Sequence, residues 1–407
     1  MDKIKGGVTS PIGFHAASVA AEIKYKDRKD MAMIYSKEPC HVAGVFTTNV
    51  VKAACVTWDK EVVANSEGAQ VVVVNAGVAN ACTGYQGYEY CKETAMAAAD
   101  LLAIEEDQVL VASTGVIGMQ LPIERIVAGV KAMVPMLEES QEAGTMAAEA
   151  IMTTDTISKE VAYKAMIDGI EVTVGGMCKG SGMIHPNMST MLGFLTTDIA
   201  ISKALLQEAL SEVVVDTFNM VSVDGDTSTN DTLLVLANGM AGNVEITEKN
   251  EAYHVFASIL EAACGDLAQM MAGDGEGATA LFETKVIHAR SKEDARILAK
   301  SVICSSLTKA AIYGHDANWG RILCALGYSG AQFDPEKIEL FFVGKKEQIQ
   351  IYKDGVATDY SEEEASKILS EPKVCVLVDM KDGEEEATAW GCDLTYDYVK
   401  INADYRS

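Results

Sequence analysis

Strand and helix signals alternate along the whole chain, and this alternation limits the fold more than any other feature. A β-branched run from Gln70 to Asn75 is followed by an alanine-rich segment, Lys92 to Leu102, whose composition favours a helix. Val109 to Ala112 is a short apolar strand, and a loop from Ser113 to Gly118 follows it. Apolar residues then recur at helical spacing from Ile123 to Leu137. The pattern predicts an α/β (α+β) protein built from layered sheets and helices.

The second half of the chain contains a predicted hairpin and a change of pattern near its C-terminal third. Glu160 to Val174 has the alternation of a hairpin turned at Asp168-Gly169. Beyond residue 284, a helix from Lys292 to Ser305 is capped by Ser291 and precedes several strand candidates. These candidates are Leu340 to Val343, Gln348 to Tyr352, Val374 to Asp379 and Ala387 to Cys392. We predict a catalytic core over residues 1–283 and a smaller α+β domain over 284–407, although no linker marks the boundary.

The composition supports a sizeable core and limits the partners. About half of the residues are hydrophobic but only 6% are aromatic, so the core depends on Val, Ala, Leu, Ile and 19 Met. The formal net charge of −26 argues against nucleic acid, which needs clustered Lys and Arg. An anionic substrate would need cationic side chains near its binding site to overcome the negative field of the protein.

The cysteines and the N-terminus indicate a cytoplasmic protein. None of the ten cysteines forms a Cys-x-x-Cys pair, and several lie in apolar runs, as reduced buried thiols do. The first residues have no apolar signal core behind them. No stretch approaches the roughly eighteen uncharged apolar residues of a membrane span, so we expect no membrane partner.

The least regular stretch of the chain runs from Gly175 to Thr190. Glycine and serine surround Lys179, so the backbone there can approach a ligand closely. Thr190 stands where this loop meets the apolar segment that begins at Met191. If the preceding peptide bond is cut, the new α-amino group, with a pKa of about 7.7–8.0, becomes a general base beside the Thr190 hydroxyl. Spacing alone favours the alternative, a strained surface loop that holds a buried threonine, because Ser-Thr pairs are common.

Two other glycine-containing segments could contact a ligand. Ser113-Thr114-Gly115 follows a strand and can direct backbone N–H groups and a hydroxyl at one point, as an oxyanion hole requires. An ordinary strand-to-helix turn is the alternative. Gly273 to Thr279 matches neither a dinucleotide fingerprint nor a P-loop, but a buried Glu276 within it could bind an ammonium group. Its alternative is a solvated loop.

Clustered carboxylates at Asp224 to Asp231 suggest a cation site or an aspartate nucleophile, but the pattern fits neither well. Thr229 occupies the glycine position of a calcium loop, and Ser228 departs from the phosphatase motif. A polar turn that satisfies its own backbone is the stronger interpretation.

The six histidines show no paired spacing, so we infer no metal site. Cys178 could be a nucleophile, although a core-facing thiol is the better reading. His315 to Arg321 is predicted to be a helix entry with a capping Asp.

Taken in order along nearly the full length, these segments resemble the ornithine acetyltransferase family of arginine biosynthesis. Lys179-Gly180-Ser181-Gly182-Met183-Ile184, Pro186-Asn187-Met188 and Thr190-Met191-Leu192 are the most specific matches. The other matching segments are Gly7 to Phe14, Val74 to Gly84, Ser113 to Gly118, Thr153 to Thr156, Asp224 to Asp231 and Ile401 to Arg406.

The resemblance implies a fold and a set of roles. It implies an N-terminal-nucleophile-like core, self-cleaved between Ser189 and Thr190 into chains 1–189 and 190–407 that assemble as an α2β2 heterotetramer. The C-terminal tail would return to the active site. Thr190 would be the nucleophile, and Thr114 and Gly115 the oxyanion hole. The implied substrate-binding residues are Thr153, Lys179, Thr190, Glu276, Asn402 and Ser407. Ser189 replaces a usual Ala, Ser407 a usual Thr, and His185 a common Ala.

The implied reaction is ping-pong transfer of acetyl from N-acetylornithine to glutamate through acetyl-Thr190, without a cofactor or metal. Acetyl-CoA is a second candidate donor. The nearest alternative is an N-terminal-nucleophile amidase or aminopeptidase that releases the acyl group to water. An aspartyl phosphatase built on Asp224 and a non-catalytic binding protein with an internal Thr190 are more distant.

Overall fold

The computed structural model describes residues 1–185 and 191–403. The chain divides into two compact units. The first comprises residues 1–180, 186–218 and 227–267, and the second comprises 181–185, 219–226 and 268–407. Each is described here by itself.

The described residues form strands and helices that alternate as the sequence predicts. The strands are β1 Asp2–Ile4, β2 Phe14–Val19, β3 Met31–Phe46, β4 Ala69–Val78, β5 Val109–Val116, β6 Lys159–Ile167, β7 Ile170–Lys179, β8 Leu192–Thr197, β9 Val221–Ser222, β10 Thr232–Ala237, β11 Leu281–Ala289, β12 Glu339–Val343, β13 Gln348–Lys353, β14 Val356–Ala357, β15 Lys373–Asp379 and β16 Glu385–Cys392. The α-helices are α1 Ala54–Asn65, α2 Gly84–Leu102, α3 Ile123–Met133, α4 Gln141–Ala150, α5 Lys203–Asp216, α6 Glu251–Gly273, α7 Lys292–Cys304, α8 Ser306–Tyr313, α9 Trp319–Gly327, α10 Glu362–Leu369 and α11 Tyr396–Asn402. The mixed α/β class is confirmed.

The first unit is built on one sheet in the order β1-β6-β7-β8-β10-β3-β4-β5, with β2 also paired to β3. The sixteen-residue β3 holds this sheet together because its first half pairs with β2 and β4 and its second half with β10. All ten residues of β4 are buried, as its β-branched run favours. Helices α1 and α2 pack on β5, and α3 packs on α2, β2 and β3. Together they enclose a core of mostly aliphatic side chains.

The predicted hairpin is confirmed. Strands β6 and β7 pair from Lys159↔Cys178 to Ile167↔Ile170, and Asp168 and Gly169 both have positive φ, at 51° and 80°. Two left-handed residues match a type I′ turn, whose twist suits the flanking strands. The register therefore carries β7 to Lys179, the last residue of the strand.

Strand β5 is longer than predicted. Ser113 to Val116, expected as a loop, continue the strand and pair with the end of β4. The Ser113 hydroxyl donates to the Asn75 side-chain oxygen at 2.7 Å, both groups being buried. A cross-strand polar pair of this kind keeps the strand going after the apolar run ends, and the local sequence does not reveal it.

The second unit contains a sheet in the order β14-β13-β12-β15-β11-β16-β9, and α7 packs on β11 and β16. The predicted helix and the four predicted strands are all present, and the Ser291 side chain accepts from the Asp294 N–H as the cap of α7. The predicted boundary at 283/284 lies inside β11, which pairs in parallel with β15 and antiparallel with β16. Residues 268–283 belong to the second unit.

Helix α6 is long and apolar enough to cross a membrane by length and composition, although the sequence suggested that no segment approaches this limit. Half of its most apolar eighteen-residue window is buried inside the protein. Phe256, Leu260, Ala263 and Leu267 form a fully buried stripe at helical spacing, as in the core helix of a globular protein.

Candidate active site

Lys179 lies at the point where β7 ends against the beginning of β8. Its backbone pairs with Leu192, the first residue of β8. Met191 immediately precedes that strand, and its carbonyl accepts from the Thr232 N–H of β10 at 2.8 Å. Ser189 and Thr190, the predicted cleavage site and nucleophile, lie outside the described residues, as does Ser407.

The Lys179 side chain turns toward Thr114 on β5. Its Nζ donates to the Thr114 Oγ1 at 3.3 Å, and the two residues are only 8% and 9% exposed. Accepting this bond occupies a lone pair of the Thr114 oxygen, so the hydroxyl proton can still be donated to a third group. The structure thus brings together one predicted substrate-binding residue and one predicted oxyanion-hole residue.

Gly115 sits at an irregularity in the pairing of β4 with β5. Its φ is +131°, and the register shifts where Gly77 and Val78 face it. A Cβ on Gly115 would overlap the backbone carbonyl of Gly77. Only glycine fits this position, because both the φ angle and the close approach exclude a side chain.

Asn230 fixes the segment that carries Thr114. Its side-chain amide donates to the carbonyl of Ala79 at 2.5 Å and to that of Ser113 at 2.7 Å, and the residue is buried. Asn230 precedes β10 by two residues, so the amide joins the ends of β4, β5 and β10. Sequence reasoning missed this role because it treated Asp224 to Asp231 as one unit.

Asp155 organises the surroundings of Lys179 and was also missed. Its carboxylate accepts from the Lys159 Nζ at 2.7 Å, the Gly180 N–H at 2.7 Å and the Thr153 N–H at 3.1 Å. Burial by itself raises the pKa of this carboxyl. The ammonium groups of Lys179 and then Lys159 outweigh that effect, and the pKa falls to about 2. Asp155 is therefore ionised at neutral pH and links Thr153 to the Lys179-Gly180 segment. Its place in the Thr153 to Thr156 motif was the available signal.

The second unit carries Glu276 and Asn402. The Asn402 side-chain amide donates to the Glu276 Oε2 at 2.7 Å, and the Glu276 N–H donates to the Ser181 carbonyl at 2.9 Å. Glu276 is 6% exposed, so it does not lie in a solvated loop. A Cβ on Gly182 would overlap this carboxylate, so a larger residue there would have to displace the Glu276 side chain.

Asp224 has a structural role. Its two oxygens accept from the backbone N–H groups of Met183 at 2.7 Å and Ile184 at 2.9 Å, and one of them also accepts from the Tyr398 hydroxyl at 3.2 Å. This is the polar turn that the sequence favoured over metal or phosphoryl chemistry. Within residues 1–185 and 191–403, no group of three or more His, Cys, Asp and Glu side chains could hold a metal ion.

The other residues that the sequence analysis singled out have local structural surroundings. Cys178 is buried, and its thiol donates to the Leu267 carbonyl at 3.8 Å, which fits a core thiol. His185 lies 3.0 Å from the Ser222 hydroxyl, and burial, with the Lys300 charge, lowers its pKa to about 4. Helix α9 begins at Trp319 directly after Asn318, so Asp316 is not its capping residue as predicted.

Comparison with known proteins identifies the family of this chain. The model of the ArgJ family matches residues 15–407. The chain belongs to the ArgJ family. Its relatives include the arginine biosynthesis bifunctional protein ArgJ from Symbiobacterium thermophilum, which is 51% identical over the full length of both chains.

Two crystal structures of relatives cover about half of this chain each. One is the bifunctional protein from Bacillus halodurans, at 46% identity over 52% of this chain and 97% of the other, with a TM-score of 0.49. The other is ornithine acetyltransferase from Mycobacterium tuberculosis complexed with ornithine, at 39% identity over 46% and 98%, with a TM-score of 0.42.

Membership of the ArgJ family confirms the resemblance found in the sequence. The protein is an enzyme of the acyltransferase class that belongs to arginine biosynthesis and acts on small molecules. The structure places Thr114, Gly115, Thr153 and Lys179 in its first unit and Glu276 and Asn402 in its second.

Proposed function

We propose that this ArgJ family member transfers an acetyl group from N-acetylornithine to glutamate through acetyl-Thr190, after self-cleavage between Ser189 and Thr190. The observation that carries the proposal is the buried Lys179 ammonium on the Thr114 hydroxyl. The Lys179 ammonium could bind a substrate carboxylate, and the Thr114 hydroxyl could donate a hydrogen bond to the oxyanion that develops during the reaction.

The charges around Lys179 favour an anionic ligand. The Lys179 ammonium is buried and donates to the neutral Thr114 hydroxyl. A substrate carboxylate bound to this ammonium would form a charge-assisted hydrogen bond, which is the stronger kind. Both N-acetylornithine and glutamate carry one, despite the net charge of −26 on the protein.

Glu276 has the complementary property. It is a buried carboxylate, of opposite charge to Lys179, and it accepts from the Asn402 side-chain amide at 2.7 Å. We propose that it binds the side-chain ammonium of N-acetylornithine, since charge-assisted hydrogen bonds are the stronger kind.

The proposed reaction runs in two half-reactions. The Thr190 Oγ attacks the acetyl carbonyl while the Thr190 α-amino group takes the hydroxyl proton. The Thr114 hydroxyl and the Gly115 N–H stabilise the oxyanion. The C–N bond then breaks, the amine of ornithine takes the proton and leaves, and Thr190 keeps the acetyl group. In the second half-reaction, the glutamate amine attacks the ester and Thr190 regains its hydroxyl proton.

A second donor and an assembly are part of the proposal. Relatives carry the word bifunctional in their names, which favours acetyl-CoA as a second acetyl donor for glutamate. No further cofactor is proposed. We also propose that chains 1–189 and 190–407 stay together as an α2β2 heterotetramer.

Two measurements test the proposal. Intact-mass spectrometry of the wild type should give fragments meeting at Ser189/Thr190, and the Thr190→Ala variant should give one full chain. An assay with N-acetylornithine, with and without glutamate, should yield ornithine and N-acetylglutamate only when glutamate is present. Acetate release at the same rate without glutamate would make the protein an amidase instead, and a folded wild-type chain that stays whole would contradict the proposal.

A further inference from the structure

A cleft of about 1070 Å³ lies within the second unit, on one face of its sheet. Alternate residues of β11 and β15 form its floor, because successive side chains of a strand point to opposite faces. The turn between β12 and β13 and the end of α10 form its walls. A cleft of this size can hold a small organic ligand. None of the residues that line it belongs to the proposed acetyl-transfer site.

Positive charge is concentrated in this cleft. Five of its fifteen lining residues are lysines, whereas Lys and Arg together make up only 33 of the 407 residues of the chain. We call it the lysine cleft, after Lys285, Lys345, Lys346, Lys367 and Lys373. Three glutamates also line it, so its net formal charge is +2, opposite in sign to the −26 of the whole protein. The lysine cleft is therefore a local attraction for anions on an acidic protein.

The lysines of the cleft differ in their ion pairs. Three of them have a carboxylate partner at 2.9 to 3.8 Å. The pairs are Lys373 with Glu283, Lys285 with Glu386 and Lys367 with Glu347. Within residues 1–185 and 191–403, no carboxylate forms an ion pair with Lys345 or Lys346. These two adjacent ammonium groups are the ones that can bind an anion without breaking an existing pair.

The backbone that carries Lys345 and Lys346 is held in place. The Gly344 N–H donates to the Glu347 carbonyl at 2.9 Å and closes the turn between β12 and β13. The Lys345 N–H donates to the Glu371 carboxylate at 2.7 Å, which ties the turn to the end of α10. A turn that is fixed before binding lowers the cost of ordering the site around a ligand.

The rest of the lysine cleft is largely apolar. Val343, Leu377 and the buried Ile368 line it beside the Cys375 thiol. Burial, with the nearby Glu283 carboxylate, raises the pKa of this thiol to about 12, so Cys375 adds no charge. These side chains offer few hydrogen bonds and suit the face of a ring better than a sugar. The cleft is also far larger than a lone inorganic anion requires.

Two free ammonium groups side by side match a phosphate monoester better than a single carboxylate. A phosphate monoester carries about −1.5 to −2 charges at pH 7, and lysine binds phosphate as a point charge. We propose that the lysine cleft binds an organic phosphate monoester with an aromatic body, of the nucleoside monophosphate class. Lys345 and Lys346 bind its phosphate, and the apolar floor contacts its ring. This site goes beyond the proposed acetyl transfer and does not depend on it.

The first test is calorimetric titration of the full wild-type chain with adenosine 5′-monophosphate as the probe. Adenosine and inorganic phosphate are titrated separately under the same conditions. Loss of a hydrogen bond to a charged group typically weakens an interaction by about 10–100-fold, so adenosine should bind weaker than the monophosphate by about that factor. Inorganic phosphate should also bind at least about tenfold weaker, because it lacks the ring that contacts the apolar floor.

The second test locates the site. Lys345 and Lys346 are exposed, so the double variant Lys345→Gln/Lys346→Gln should fold with a wild-type melting curve. It should bind adenosine 5′-monophosphate about 10–100-fold more weakly than the wild type. The control is Lys26→Gln/Lys131→Gln, which removes the same charge from two exposed positions of the first unit and should leave the affinity unchanged.

Four outcomes would overturn the inference. They are no binding of adenosine 5′-monophosphate to the wild type, equal affinity for it and adenosine, equal affinity for it and inorganic phosphate, and equal weakening in the two double variants. The third outcome would mean a general attraction for anions, and the fourth a general effect of net charge. A failure of the proposed acetyl transfer would appear in the transfer assay and leave these binding results unchanged.

Discussion

At the scale of single residues, the proposed site depends on the buried charges of the first unit. Lys179 contacts a hydroxyl, and Asp155 holds the neighbouring backbone and Lys159. Neither side chain is near bulk solvent, so their interactions are stronger than those of surface ion pairs. Two predictions follow from these contacts.

Replacing Lys179 by Gln should weaken substrate binding. A hydrogen bond to a charged group contributes roughly 1.5–3 kcal/mol, so KM for glutamate should rise by about 10–100-fold. Steady-state kinetics with varied glutamate would measure this. Lys37→Gln removes an exposed lysine that pairs with Glu139 at 3.2 Å and should leave KM unchanged. An unaltered KM in Lys179→Gln would remove Lys179 from the binding site.

Asp155→Asn should destabilise the fold at neutral pH, because it leaves Lys159 and Lys179 without their carboxylate. Breaking a buried pair typically costs about 3–5 kcal/mol in unfolding free energy. The folded-state pKa of about 2 lies below the unfolded value near 3.8, so the contribution is present above pH ~4 and is lost as pH falls through 2. Urea unfolding of both proteins at pH 7 and at pH 3 should show the difference shrinking in acid. A constant difference would contradict the ionised state of Asp155.

At the scale of elements, the pairing of β4 with β5 shapes the proposed oxyanion hole. The strand continues through Ser113 and Thr114 and then bulges at Gly115, where Gly77 and Val78 lie opposite. The bulge turns the Gly115 backbone in a direction that regular pairing of the two strands would not allow.

Gly115→Ala should therefore distort the end of β5. The added Cβ would overlap the Gly77 carbonyl, and the φ of +131° is unfavourable for alanine. We expect acetyl transfer to fall by about 10²-fold or more, as for loss of one oxyanion donor. Gly118→Ala is the control, since Gly118 also has positive φ, at +83°, but open space around it, and it should cost only about 1–2 kcal/mol of stability with activity kept. Equal activity in both variants would refute the role of the bulge.

At the scale of the whole molecule, the net charge of −26 opposes the approach of anions. Raising ionic strength from 0.01 to 0.15 M shortens the Debye length from about 30 Å to about 8 Å and so screens this repulsion. We expect kcat/KM for glutamate, which is a net anion, to increase over this range. N-acetylornithine, a zwitterion of zero net charge, should respond much less. A fall for glutamate would mean that the local field around Lys179 dominates at long range.

The sequence could predict elements whose signals are local. The hairpin at Asp168-Gly169 follows from two residues that accept positive φ, and α7 follows from the Ser291 cap and an apolar stripe. Strand β3 was not predicted, because its sixteen residues include polar positions that only pairing with β2, β4 and β10 explains. The boundary at 283/284 fell inside β11 because strands of one sheet can be distant in sequence.

By itself, the sequence determined the mixed α/β class, the ArgJ family and the residue types available to the site, since motifs and periodicities are properties of contiguous residues. The tertiary structure decided which of those residues meet. It placed the Lys179 side chain on Thr114, the Gly180 N–H on Asp155, and the Asn230 amide on the carbonyls of Ala79 and Ser113. These contacts join residues 25 to 151 positions apart, and they arise only when the chain packs.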